Sequence, residues 1–414
     1  MMRERTTHRV HGHTYYGDIL AALAVLLAVM LPTGCTDNGL PQEQMPVQEE
    51  AIAFSVSTGG DTRATGEIGT TTVLQGSTGF GVFASYTRQW RYSTTTVSPD
   101  FLCNQKVKWD DEVKAWTYNP LKYWPNGEGE GIGQGQSEIA HQVSFFAYAP
   151  WSDFTSTSTT SPAPANCITD CSQTYEQGDP WVLYRLAGEE GGDPTAQQVD
   201  LLYAVCDYDH YGLGDGLCNI DLTKPEVTKR VGFTFNHALG IVGDNVTVKA
   251  STDLQAILKA EVDGSVVTAI SLVLQSITID YTLTSKARLM LYARDGKPNW
   301  KTVTSENVKT KRRVSITEIA HTLYTYNGSV GTSTDYNPGW TGKGVFYIPI
   351  EGDDYVQRAS ITVGYRVVRT GGTDYSGTTK KKDVILHEQT DYYGPGKQLD
   401  FNISLGSSIS LSNE

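Results

Sequence analysis

Leu399-Asp400-Phe401-Asn402-Ile403-Ser404-Leu405 is the stretch whose pattern decides the fold: every second residue is large and apolar, and every residue between is polar. Period two gathers the four apolar side chains on one face of an extended strand, whereas a helix would scatter them around its circumference. After Gly406 comes Ile409-Ser-Leu411, a shorter echo of the same pattern. The signature recurs upstream. Residues 80–86, 104–109, 143–148, 199–205, 231–239, 269–284, 287–293, 345–350, 359–368 and 384–387 read as strands, separated by Gly-, Pro-, Ser- and Thr-rich turns. Two short helices are expected as connections over the sheets. Thr252-Asp-Leu-Gln255 matches a capping box with Leu254, Ile257 and Leu258 on one face, and Ser315-Ile-Thr-Glu318 would open the second. The composition is that of an all-β protein.

The opposite end of the chain is of another kind. Ile19 to Met30 is an uncharged apolar run behind Arg3, Arg5 and Arg9, well short of the roughly 20 apolar residues that a spanning helix needs. It closes in Leu31-Pro32-Thr33-Gly34-Cys35, small residues followed by a cysteine, the pattern at which a bacterial enzyme lipidates the thiol and a peptidase cuts before it. Residues 1–34 therefore read as a lipoprotein signal peptide and Cys35 as the lipidated first residue; the plainer alternative is an ordinary secretory signal. The 380 residues that follow exceed one compact core, so two domains are expected. Residues 35–63 read as a tether and candidate propeptide carrying the first strand, Ile52-Ala-Phe54-Ser-Val56-Ser. Residues 64–228 form an N-terminal β-sandwich, and 229–414 a C-terminal β-sandwich ending in the alternating tail. Between first strand and first sandwich, Gly59-Gly60-Asp61-Thr62-Arg63-Ala64-Thr65-Gly66 is polar and glycine-flanked, an exposed loop open to proteolysis.

The formal net charge is −13, and −14 without the leader, which carries three arginines against Glu4 and Asp18. So acidic a chain lacks the basic footprint that nucleic acid requires. Nothing argues for catalysis. There is no G-x-S-x-G elbow, and His141, His210, His237, His321 and His387 are scattered, with His237 in an apolar strand where a packed, hydrogen-bonded core role is expected. Gly127 to Gly135 lacks the following helix and the lysine of a phosphate loop. Asp207 to Cys218 has calcium-like oxygen spacing, but Cys218 stands where a bidentate Glu is needed, so a polar turn is the better reading. No enzyme activity, cofactor or metal site is expected. Among the five cysteines beyond Cys35, an oxidising envelope allows local Cys167–Cys171 and Cys206–Cys218 disulfides, leaving Cys103 as a small buried hydrophobe. A four-cysteine zinc site has the wrong spacing.

Six segments in fixed order carry a family likeness: Gly79-Phe-Gly-Val-Phe-Ala84-Ser-Tyr86, Asn104-Gln-Lys-Val107, Trp116-Thr-Tyr-Asn-Pro120 leading into Tyr123-Trp124-Pro125, Phe145-Phe-Ala-Tyr-Ala-Pro150, Asp200-Leu-Leu-Tyr-Ala204, and Val231-x-Phe-x-Phe-x-His237-Ala-Leu239. Together they resemble the fimbrillin family of Bacteroides-type bacteria, most closely from Ala51 to about Gly240. The resemblance implies a lipoprotein precursor of a pilus subunit with two tandem transthyretin-like β-sandwiches and no enzymatic activity. It further implies outer-membrane localisation through lipid on Cys35, cleavage by an Arg-directed protease, here at Arg63–Ala64, and assembly with other fimbrial subunits by strand exchange. The tail residues Leu399, Phe401, Ile403, Leu405, Ile409 and Leu411 are then donor-strand candidates; the plainer fate of such a strand is to complete its own sheet. Host or bacterial surface ligands are expected partners of an adhesin. The alternative is a monomeric lipid-anchored module binding glycan or host, with Trp90, Trp151 and Trp181 stacking on sugar rings.

Overall fold

The computed structural model describes residues 51–58, 71–88, 91–125, 141–154, 167–206, 219–223, 230–263, 266–293, 296–303, 309–337, 343–350, 356–380, 384–388, 394–406 and 410–411. In chain order the first strands are β1 (Phe54–Thr58), β2 (Phe80–Arg88), β3 (Leu102–Asp110), β4 (Ala115–Thr117), β5 (His141–Ala149), β6 (Ile168–Cys171), β7 (Trp181–Arg185), β8 (Leu202–Cys206), β9 (Val231–His237), β10 (Gly240–Ala250) and β11 (Ala269–Thr284). They are followed by β12 (Lys286–Met290), β13 (Asn299–Lys301), β14 (Lys309–Ile316), β15 (His321–Tyr326), β16 (Gly331–Ser333), β17 (Val345–Tyr347), β18 (Arg358–Thr370), β19 (Tyr375–Lys380), β20 (Val384–Ile385), β21 (Gln398–Leu405) and β22 (Ser410–Leu411). Helices α1 (Thr71–Gly76) and α2 (Thr252–Asp263) interrupt an otherwise β chain. The all-β expectation holds.

The first sheet runs β1-β9-β8-β5-β2-β3-β4. One face carries an aromatic core of Phe54, Phe80, Phe145, Phe233 and Phe235, covered by Trp116, Tyr118, Trp124 and Leu74 of α1. The other face offers Phe83, Phe146, Tyr148 and Tyr203 to a second and larger core, which runs on through β6 and β7 to Leu405. Because both faces are covered, β5 is a nearly continuous apolar run rather than an alternation. The second core lies among three further sheets: β17-β10-β21-β22; β16-β15-β11-β18-β19 with β14 on β11 and β20 on β18; and β13-β12-β7-β6.

The sheets do not divide at residue 228. β9 continues the first sheet between β1 and β8, and β7 pairs antiparallel with β12 from Trp181↔Met290 to Arg185↔Lys286, so one sheet draws on both halves of the chain. Residues 219–223 do not serve as a free linker either: Phe145 N donates to Asn219 O at 2.7 Å and Val143 N to Leu222 O at 2.9 Å. The passage from first sheet to second is the two-residue step Ala238-Leu239. Trp300 Nε1 donates to Ala238 O at 3.1 Å, and Gly396 N to Leu239 O at 2.7 Å.

Two helix readings need correction. Residues 315–318 open no helix: Ser315 and Ile316 end β14, whose register against β11 runs from Ile277↔Ile316 to Thr284↔Lys309. The Ser315 hydroxyl meets Thr278 Oγ1 across that ladder at 3.0 Å, so its polar group is satisfied by the sheet and not by a helix start. α2 exists, but its cap is Ser251, whose Oγ accepts from Leu254 N at 3.2 Å. Its buried residues are Leu258 and Val262, with Ile257 turned outward. Strand β14 escaped recognition because its outward positions Lys309, Lys311 and Arg313 are cationic and its inward ones include Thr310 and Arg312. Arg312 is nonetheless buried, with Nε donating to Ala187 O at 2.6 Å and Nη2 to Gly188 O at 2.9 Å.

Candidate functional site

Residues 51–58 occupy a slot at the edge of the first sheet. β1 pairs parallel with β9 from Phe54↔Val231 to Thr58↔Phe235, and Val231 N donates to Ala53 O at 2.8 Å. On the opposite wall the start of the segment is held: Ile52 N donates to Lys122 O at 2.8 Å, and Tyr118 OH donates to Ile52 O at 2.9 Å. Alternation does the rest. Ile52 and Phe54 point inward and are each 1 % exposed, while Ser57 faces out and meets Thr234 Oγ1 at 2.8 Å.

The floor of the slot is aromatic. The Phe54 ring lies 5.4 Å from Tyr118, 5.7 Å from Phe233 in a stacked pair, 6.1 Å from Phe145 and 6.3 Å from Phe80. Burial raises the Tyr118 phenol, so its hydroxyl stays protonated and remains a donor to the Ile52 carbonyl. The arrangement is built for holding an extended apolar strand by ladder hydrogen bonds and ring burial. The sequence marked the strand; its pattern did not mark 118–123 as a clamp on that strand.

The other sequence-derived sites fall as follows. Cys35, Arg63, Ala64 and Ile409 lie outside the described residues, as do Trp90, the Gly127–Gly135 loop and Asp207–Cys218. Leu411 lies in β22. Leu399, Phe401, Ile403 and Leu405 are buried in the second core, because β21 runs parallel to β10 from Ile241↔Gln398 to Ala250↔Leu405. His237 is a packed residue as expected, its Nδ1 2.7 Å from buried Asp200 Oδ2. Trp181 is no exposed platform: it is 8 % exposed, beneath the Arg288 guanidinium at 4.0 Å. Trp151 is half-buried, donating Nε1–H to Asn104 O at 3.2 Å under Lys106 Nζ at 4.2 Å.

Cys103, Cys167 and Cys171 are free thiols, so the local Cys167–Cys171 disulfide is not made. The reason is geometric. Residues 168–171 are an extended strand, which at about 3.3 Å per residue holds its flanking cysteine far beyond the roughly 4–7 Å between Cα atoms that a disulfide spans. Cys206 ends β8, and its expected partner Cys218 is outside the described residues.

No family model matches the chain. Over 132 residues it is 29 % identical to a fimbrium subunit, Fim1C, of Phocaeicola vulgatus, a match covering 31 % of this chain and 30 % of that relative's length. The crystal structure of a fimbrial protein from Bacteroides vulgatus superposes with a TM-score of 0.54 at 17 % identity, covering 88 % of this chain and 98 % of that one. The resemblance to Bacteroides fimbrial proteins read from the six segments is thus met in sequence by a named fimbrium subunit and in fold by a fimbrial protein.

Proposed function

We propose that the protein is a structural subunit or tip adhesin of a cell-surface fimbria, without enzymatic activity, which reaches the outer membrane on lipid attached at Cys35 and then assembles by strand exchange. The observation that carries this reading is the seating of residues 51–58. Their strand is terminal in its sheet, is bounded on its far side, among the described residues, by the 118–123 clamp, and covers an aromatic floor. Arg63 follows five residues after β1 in a glycine-flanked polar stretch. Cleavage at Arg63–Ala64 would free β1, and the emptied slot, with unpaired β9 amides and bare Phe80, Phe145 and Phe233, would be unstable in water until another strand entered.

On this reading the donor is the C-terminal tail with its apolar residues Leu399, Phe401, Ile403, Leu405, Ile409 and Leu411. Its outer strand β22 pairs with β21, among the described residues, at Ile403↔Leu411 and Ser404↔Ser410, and detaches first. Partners are other fimbrial subunits, with surface ligands on host or bacterial cells for a tip subunit. N-terminal sequencing of the surface-sheared form tests the proposal. An N-terminus at Ala64 in a polymer supports it; a monomer that retains lipidated Cys35 refutes polymerisation.

A further inference from the structure

The cysteine that sequence spacing left over, Cys103, has a neighbour. Its Sγ lies 3.3 Å from the backbone oxygen of Ser172, the residue directly after Cys171, although the two stand 69 positions apart. The contact crosses from the first sheet, where Cys103 sits in β3, to the mixed sheet, where Cys171 ends β6. Both side chains pack into the second core, with Cys171 3 % exposed and Cys103 half-buried.

The two strands are also tied together around this point. Tyr148 OH donates to Asn104 Oδ1 at 2.6 Å, Asn104 Nδ2 donates to Ser152 O at 3.0 Å, and Ser152 Oγ donates to Ile168 O at 2.8 Å. Beyond Cys171, Ser172 N donates to Trp181 O at 3.0 Å, and Trp181 N donates to Ser172 Oγ at 2.7 Å. Each cysteine is thus next to an anchored residue, which leaves side-chain rotation as the main freedom. Burial, and after it the neighbouring Cys103 sulfur, push the Cys171 thiol up to about 12. Tyr148 feels both sulfurs. Cys167 is differently engaged, its Sγ 3.8 Å from Gln197 O before the start of β6.

We propose that Cys103 and Cys171 form a disulfide in an oxidising compartment, stapling the first sheet to the mixed one. Each thiol gives up one proton and one electron, the S–S bond forms, and the oxidant is an external disulfide of the dithiol-oxidase or oxidised-glutathione class, reduced to two thiols. Folded protein exchanges slowly, because both thiols are pushed up, Cys103 to about 11, and the reactive thiolate is scarce at neutral pH. The bond therefore forms as the chain folds. The inference requires an oxidising environment and not polymerisation.

The test is peptide mapping of the full chain refolded in a glutathione redox buffer, and of the same chain recovered from cell envelopes, with free thiols alkylated before digestion. The expected product is a Cys103 peptide joined to a Cys171 peptide and lighter than their sum by two hydrogens, with Cys167 alkylated. Reductant should lower the midpoint of thermal unfolding by roughly 5–10 °C, as for a disulfide closing a long loop. Cys167→Ser should keep the crosslink, and Cys103→Ser should lose both crosslink and reductant sensitivity. Alkylation of Cys103 and Cys171 in refolded wild-type protein, or Cys171 joined to any other cysteine, overturns the proposal.

Discussion

Phe54→Ala is the sharpest probe of the edge slot. The ring is 1 % exposed and touches four aromatic neighbours, so truncation removes a fully buried side chain from a floor that its partners cannot easily close. Burial of a Phe side chain contributes about 2–3 kcal/mol, and tilted and edge-on ring pairs add about 0.5–1.5 kcal/mol each. Phe→Ala in closed cores costs roughly 3–5 kcal/mol; an edge strand can settle inward, so about 3 kcal/mol is expected here. Urea unfolding followed by tryptophan fluorescence is a suitable assay, because Trp116 and Trp124 lie in the same core. Ser57→Ala, which removes only an outward hydroxyl contact, is the control and should cost under about 0.5 kcal/mol. A Phe54→Ala loss below about 1 kcal/mol, or one equal to the control, would refute the claim that ring burial holds the strand.

Other outcomes follow from single contacts. Burial raises the Asp179 carboxyl to about 6 while the Tyr92 hydroxyl, donating at 3.0 Å, opposes the rise. A carboxyl raised on folding stabilises below its unfolded value near 3.9, and that stability is lost as pH climbs through about 6. Asp179→Asn should therefore gain about 1 kcal/mol above pH 6, discounted for partial solvent access, and nothing below about pH 4, read from urea midpoints across pH. Arg312→Leu leaves the Ala187 and Gly188 carbonyls without their donor and should cost about 2–4 kcal/mol, with Arg312→Lys recovering only part. Phe401→Ala should cost about 3–5 kcal/mol in the monomer, since β21 is an inner strand of its sheet; a loss under about 1 kcal/mol would show that the tail is spare in the free subunit.

Strand identity was legible where the buried face is made of large apolar residues, as in residues 399–405 and 231–237, because alternation of side-chain type reports that asymmetry directly; it was missed in β14, whose inward face includes Thr310 and Arg312. It was legible again in β5, where both faces are covered and the apolar run is continuous. Sheet membership was not. Nothing in Trp181–Arg185 names Lys286–Met290 as its partner, and the break placed at 228 followed a turn-rich stretch while the hydrogen bonds did not. The cysteines failed for a related reason: pairing by sequence proximity ignores that an extended strand separates its ends and that sheets bring distant residues together. In the edge slot, Phe54 was marked by periodicity, whereas Tyr118 and Lys122 act through chain geometry that pattern alone does not encode.

The pairing of β7 with β12 also imposes an order in time. A growing chain that ends before residue 286 can complete the ladder of the first sheet, yet Phe83, Phe146, Tyr148 and Tyr203 on its second face still await the layer that will cover them. Closing that layer joins residues about a hundred positions apart, a slow step by the ordinary rule that distant contacts form late. Until then the half-made molecule presents a row of bare aromatics, the kind of surface on which aggregation begins and which holding chaperones cover. The N-terminal half is thus kinetically dependent on the C-terminal half, and a truncation near residue 240 should yield an insoluble fragment in place of a free-standing domain.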